Sequence, residues 1–305
     1  MTAHVPARRR TPRVAVVGDL AVDVLVAPSV PPVAGADVPA RIATSGGGAG
    51  ANTAAWLAAR GVDVTLVARV GADTAGRAAL AELAAAGVQT AVSVDPEAPT
   101  ATVVVLLGAD GQRTMLSDRG ASARLDPADL PSLRGMDHLH LSGYVLRDAG
   151  SRAAGSAALA AARAEGVTTS VDPQATGVLT AELLRGLGRV DLLLPNADEL
   201  AALTGATDPR SVTALLDVAG AVVVTHGDAG ASWVDHAGVR SAPAAAVEVV
   251  DPTGAGDAFD AGLLAAWLSG AGPEEALAAG CAAGAAAVSR RGGRPGRRRP
   301  RCPRS

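Results

Sequence analysis

Apolar and polar positions along this chain fall into two regimes that take turns. Short β-branched runs such as VAVV at residues 14–17 and AVVVT at 221–225 carry no polar alternation, which is the pattern of strands buried on both faces. Between them lie Ala-rich stretches of helical length. This reading predicts strands at 14–17, 64–67, 103–107, 138–141, 168–171, 192–194 and 222–225, and helices at 52–60, 74–86, 151–165, 197–203, 255–268 and 273–288. Such alternation predicts an α/β fold, a mostly parallel sheet covered by helices. Residues 25–45 break the rhythm with prolines and short alternating pieces, and read as a small β excursion. The stretch TVVVLLGADGQRTML at 102–116, with an Asp110-Gly111 turn, reads as a hairpin that joins the excursion in a second, smaller β layer.

Composition narrows the picture. Of 305 residues, 49% are hydrophobic and only 2% aromatic, so the core must be built from Ala, Val and Leu. No apolar run is long enough to span a bilayer and no signal peptide follows the N-terminal arginines, so a soluble cytoplasmic protein without a membrane partner is expected. Cys281 and Cys302 offer neither a disulfide framework nor metal-ligand spacing. All 27 basic residues are arginine, and a Walker A loop, which needs its lysine on the phosphates, is excluded. The net charge is −3 although both ends are rich in arginine, so the body is acidic. Without interleaved aromatics, the basic segment 1–12 and the Arg/Pro-rich tail 294–305 read as solvated disorder rather than nucleic-acid contacts, which leaves 13–293 as the folded body.

Three constellations carry candidate chemistry. In VVDPTGAGDAF at 249–259 a glycine turn feeds an apolar helix, which places unpaired amides at the positive end of the helix dipole, a seat for phosphate or a developing oxyanion. Gly254 and Gly256 permit close approach, and Asp257 in the first turn is either a proton acceptor or a simple helix cap. In SGGGAGANTAAWLAARG at 45–61 glycines again enter a helix. It is not a dinucleotide fingerprint, because it does not directly follow the first strand; Asn52 reads as a ligand-binding residue or an N-cap. In LLLPNADEL at 192–200, Asn196 and Glu199 form either a capping box or a water-mediated Mg2+ site beside nucleotide phosphates.

Taken together, GDLAVD at 18–23, GGAGAN at 47–52, PNADE at 195–199, THGDAG at 225–230 and DPTGAGDAF at 251–259 stand in the order of the ribokinase-like, or PfkB, carbohydrate kinase family, which the chain resembles. The resemblance covers about residues 13–293. It implies a three-layer α/β/α sandwich whose small β layer, from about 25–45 and 100–117, acts as a lid and commonly pairs two subunits, so a homodimer is expected. It also implies ATP-dependent phosphoryl transfer to a hydroxyl of a small carbohydrate. By position, Asp257 becomes the general base, and the amides of Gly254, Ala255 and Gly256 the anion hole. Asp23, Gly47, Gly48 and Asn52 become acceptor-binding, and Asn196 and Glu199 organise Mg2+ and phosphate. Thr225, Gly227, Gly230 and Cys281 become nucleotide-binding, and Asp251 belongs to a monovalent-cation site, with K+ as its candidate ion. Transfer of this kind rests on positioning and charge neutralisation, so it is feasible without lysine.

The chain also departs from the family pattern. Ser142, carried over as an acceptor-binding residue, stands where ribokinases proper carry a Glu that contacts substrate, and Ala21 where they have an Asn, which argues against ribose itself. Tyr144 is the one well-placed ring for stacking a nucleobase, so a sugar is favoured over a nucleoside. A phosphorylated sugar would require an arginine near Asp23, for which Arg41, Arg113 and Arg119 are candidates. After residue 293 the closing helix of the family is replaced by RPGRRRPRCPRS, so the cation site and adenine pocket are expected to be incompletely walled. Two alternatives to a sugar kinase stay open at this point: a nucleoside kinase of the same family, and a binding relative that has lost turnover.

Overall fold

The computed structural model describes residues 10–108, 113–174, 179–205 and 212–296. The Asp110-Gly111 turn, Arg8, Arg9, Cys302 and the tail from residue 297 onward lie outside the described residues.

Strand β1 (Arg13–Val17) shows how the apolar runs are used. Val14 and Val16 belong to one buried cluster and Ala15 and Val17 to another, since neighbouring side chains of a strand point to opposite faces. Its parallel neighbours are β4 (Asp63–Gly71) and β8 (His138–Ser142). Beyond β4 lies β5 (Gln89–Asp95). Beyond β8 follow β9 (Thr168–Asp172), β10 (Val190–Leu193) and β11 (Ala219–Thr225), all parallel. Two antiparallel strands, β12 (Ala231–Asp235) and β13 (Gly238–Ala242), complete the sheet, ordered β13-β12-β11-β10-β9-β8-β1-β4-β5.

Helices cover both faces. On one side α1 (Ala49–Ala59), α2 (Thr74–Ala85), α6 (Ala255–Leu268) and α7 (Pro273–Val288) pack over Val14, Val16 and Leu66. On the other, α3 (Ala149–Ala164), α4 (Ala181–Leu187) and α5 (Ala197–Thr204) pack over Ala15, Val17 and Leu139. The expected three-layer α/β/α sandwich is thus observed. Strand β5, the β12–β13 edge and the short α4 were not anticipated: edge strands are only partly covered and α4 has two turns, so none shows a sustained pattern.

The remaining strands, β2 (Ala21–Pro28), β3 (Ala40–Gly47), β6 (Ala101–Leu107) and β7 (Arg113–Asp118), form a separate sheet ordered β3-β2-β6-β7. The pairs β2–β3 and β6–β7 are antiparallel, while β2–β6 is parallel. The apolar run 103–107 therefore belongs to the small layer and not to the main sheet. This layer stands over a crevice at the carboxyl ends of β1 and β8, where the strand order reverses, the usual ligand position in open α/β sheets.

Candidate active site

Helix α6 starts from a turn that only glycine fits. Gly254 has φ 72°, and a Cβ there would lie 2.6 Å from Gly293 Cα. The amides of Gly254, Gly256 and Asp257 donate to no acceptor among the described residues, whereas the Ala255 amide, expected to be bare, donates to the Pro252 carbonyl at 3.3 Å. Asp257 makes no cap. Its carboxylate instead accepts from Asn52 Nδ2 at 2.9 Å and Gln174 Nε2 at 3.3 Å. Burial raises its pKa to about 7, against the Asn52 hydrogen bond and with the charges of Asp19, Asp23 and Glu199.

The second glycine turn faces the first. Gly48, at φ 88°, is the N-cap of α1, so Asn52 lies inside the helix and is not its cap. Its side chain is thereby free to cross to Asp257. Asp23, on β2, is pushed up to about 6 by burial, with the Arg294 charge opposing. Gly47 contributes its carbonyl, which accepts from Arg294 Nη2 at 2.8 Å. Ser142 is fully buried beneath the crevice, where its hydroxyl bonds Asp19 Oδ1 at 3.3 Å and the Gln174 amide oxygen. It supports the floor and is not one of the residues lining the cavity, contrary to its expected role as a substrate contact.

Two cavities meet at these turns. A cavity of about 320 Å³ is lined by Asp23, Gly48, Asn52, Asp257, Asn196 and Glu199, among others. A second, of about 480 Å³, is lined by Gly227, Gly230, Cys281 and Ala255. Thr225 and Gly256 line both. Asn196 and Glu199 form the reciprocal capping box, each side chain accepting from the other's backbone amide at 2.9 Å, so the structural reading of this pair holds. Glu199 nevertheless faces the first cavity, and burial raises its pKa against the Asn196 bonds. No cluster of three metal-ligating side chains occurs among the described residues. Asn196 and Glu199 at the cavity suit Mg2+, which keeps several waters and leans on one or two carboxylates plus substrate phosphates.

The sequence matches the pfkB family carbohydrate kinases over residues 11–298. The protein belongs to that family. It is 35% identical over 254 residues to the ATP-dependent ribose-1-phosphate kinase of Halopiger xanaduensis, covering 82% of each chain. It is 34% identical over 289 residues to a fructokinase of Klebsiella pneumoniae, covering 88% of this chain and 91% of that one. Among solved structures, a proposed E. coli ribokinase II in complex with ATP and Mg2+ superposes with a TM-score of 0.82 at 26% identity, over 93% of this chain and 94% of that one. This pfkB-family protein is therefore a phosphotransferase acting on a sugar or nucleoside, with ATP and Mg2+ supported as its phosphoryl donor and metal.

Within this pfkB-family site the expected cation position looks different. Asp251 accepts from the Thr253 and Gly292 amides, each at 3.0 Å, and from Arg113 of the lid at 3.3 Å. Burial works against its ionisation, but these bonds and the Arg113 charge hold it below the usual carboxylate range. In the C-terminal segment Gly293 backs the Gly254 turn, and the side chain of Arg294, the first residue of the tail read as disordered, is only 8% exposed.

Several residues of the site escaped sequence reading. Asp19, only 6% exposed, accepts from the Gly50 amide and the Ser142 hydroxyl, and stands beside Asp23 in GDLAVD, where a second acid in the motif was the available signal. Gln174 holds φ 54°, rare for a non-glycine, and such strain gathers at functional sites. Asp172 and Asp260 line the same cavity, each raised by burial and by the neighbouring acids. No local pattern distinguishes these three from ordinary strand-end and helix residues.

Proposed function

We propose that this protein is an ATP-dependent sugar kinase that uses Asp257 as general base. The single observation carrying the proposal is the position of Asp257 where two cavities share Gly256 and Thr225, next to amides that have no acceptor among the described residues. The acceptor hydroxyl is held by Asp23, Gly48 and Asn52 in the 320 Å³ cavity, and the nucleotide lies along Gly227, Gly230 and Cys281 in the 480 Å³ cavity. Asp257 takes the hydroxyl proton as the new O–P bond forms. The bond between the γ-phosphorus and the bridging oxygen breaks, and ADP leaves. The Gly254, Gly256 and Asp257 amides hold the charge of the phosphoryl group in transit. Asn196 and Glu199 would hold Mg2+ through water, and the ion would supply neutralisation of the phosphate charge. Lid strands β2, β6 and β7 exclude water from the cavity.

A sugar is favoured over a nucleoside because Tyr144 is the one ring lining the acceptor cavity among the described residues, and Arg119 already covers it at 5.3 Å from the ring centroid. A specific observation favours an anionic sugar. Arg113, Arg119 and Arg147 line the cavity, Arg41 does not, and the Arg147 guanidinium has no acidic partner among the described residues. Ribose 1-phosphate, the substrate for which the Halopiger relative is named, fits this reading. Ile42 and Leu116 are exposed on the lid face turned away from the cavity, which supports its use as a dimer face. The test is an ADP-release assay with ATP and Mg2+ over neutral sugars, sugar acids, sugar phosphates and nucleosides. Transfer to a sugar or sugar phosphate is expected; turnover confined to nucleosides would refute the reading.

A further inference from the structure

The chain that follows α7 turns back onto the site. Arg290 lies over the Trp56 ring at 5.5 Å, Trp56 Nε1 donates to the Gly293 carbonyl at 2.9 Å, and Gly293 backs the Gly254 turn. Arg294 is thereby inserted beside the glycine turn of α1. Its Nη2 donates to the Gly47 carbonyl at 2.8 Å, its Nε to Asn52 Oδ1 at 3.3 Å, and its Nη1 lies 3.0 Å from Glu82 Oε1.

The Asn52 amide is thus held at both ends. Its oxygen accepts from Arg294 and its nitrogen donates to Asp257 Oδ2. A primary amide has a donor end and an acceptor end of nearly the same shape, and exchanging them would turn the amide oxygen toward the carboxylate. A guanidinium has donors only, so it accepts one of the two orientations. We propose that Arg294 is a positioning residue for phosphoryl transfer, orienting the Asn52 amide so that it donates to the Asp257 carboxylate. The proposal rests on the reading of Asp257 as the base. Lysine would not replace Arg294, because the contacts to Gly47, Asn52 and Glu82 are made by three different nitrogens of one plane. Asp19, Asp23, Asp172, Glu199 and Asp260 also face Asp257, from the loop after β1, β2, β9, α5 and α6 in turn, as does Tyr144 from the turn after β8. Of these, Asp19 and Asp23 also feel the Arg294 charge.

The experiment uses the full chain without ligands. Its asparagines are Asn52 and Asn196, so selective ¹⁵N labelling of asparagine side chains yields two amide pairs. These are followed from about pH 5 to 9 in the wild type, Arg294→Gln and Arg294→Lys, with Asp257→Asn identifying the titration of Asp257. In the wild type the Asn52 pair moves with that titration. In Arg294→Gln the pair shifts and its midpoint rises by at least about half a unit, while the Asn196 pair stays in place. With an acceptor that the ADP-release assay identifies, the acidic limb of kcat moves up by the same amount and the KM for ATP stays within about twofold. Arg294→Lys retains the charge but loses the contact to Asn52, so its Asn52 pair also shifts. A folded Arg294→Gln with wild-type Asn52 resonances and midpoint would overturn the proposal, and so would failure of both variants to fold, which would mark a purely structural role. Absence of transfer by the wild type would sink the sugar-kinase reading alone, since the resonances report on Asn52 and Asp257 regardless of turnover.

Discussion

The Asn52 side chain donates to the Asp257 carboxylate at 2.9 Å, although the two residues stand 205 positions apart. The bond ties the glycine turn that starts α1 to the one that starts α6, and these helices pack directly together in the core. A hydrogen bond to the ionised form also keeps part of the base deprotonated, against the pull of burial.

Asp257→Asn preserves shape and removes the proton acceptor. Turnover is expected to fall at least about a hundredfold, while acceptor and nucleotide still raise the melting temperature as they do in the wild type. Full turnover in this variant would remove the assigned base.

Because protonated Asp257 cannot accept a proton and its pKa is raised to about 7, kcat/KM for the acceptor should climb with pH below that value and level off above it. Asp23, raised to about 6, steepens the lower part of the limb. A rate profile at saturating ATP checks this, and a flat response across pH 5.5 to 8, a range on the order of the two midpoints, would contradict it.

The same raised pKa makes a stability prediction. The folded state binds the Asp257 proton more tightly than the unfolded chain, so the group's contribution is present below its ordinary carboxylate pKa of 3.8 and is lost as pH rises through about 7. Asp257→Asn, which is never charged, should therefore gain melting temperature relative to the wild type at pH 8 and lose that advantage toward about pH 4. Equal differences at both pH values would show that Asp257 is not held in its neutral form.

Gly254→Ala forces an L side chain into φ 72° and against Gly293 Cα at 2.6 Å. The strain should cost about 1–3 kcal/mol in denaturant unfolding and impair turnover as the α6 turn shifts. An unchanged midpoint would mean the turn has room that the packing does not show.

Gly284 lies on α7 and lines the 480 Å³ cavity, and a Cβ added there would meet the Ala255 carbonyl in ordinary contact at 3.4 Å. Gly284→Leu should fill that cavity and raise the KM for ATP by about tenfold or more, leaving the melting shift with acceptor intact. Loss of acceptor binding instead would separate the two cavities differently from the proposal.

Much of this architecture was legible in the linear pattern. Val14 to Val17 announced a strand buried on both faces, and the runs entering Ala49 and Ala255 announced helices opened by glycine turns. The five motifs together pointed to Asp23, Asn52 and Asp257, and all three line one cavity. Those signals are local: strand alternation, helix periodicity and a turn that requires glycine are each written within a few residues.

Tertiary structure decided how the pieces act on one another. It buried Ser142 below the cavity, gave Asp251 to Arg113 of the lid, and brought Gln174 to Asp257. It also carried Arg294 to the Gly47 carbonyl across 247 positions. Hydrogen bonds of that reach follow from which helices and strands come to lie side by side, and packing of a shared core, not spacing along the chain, sets that arrangement.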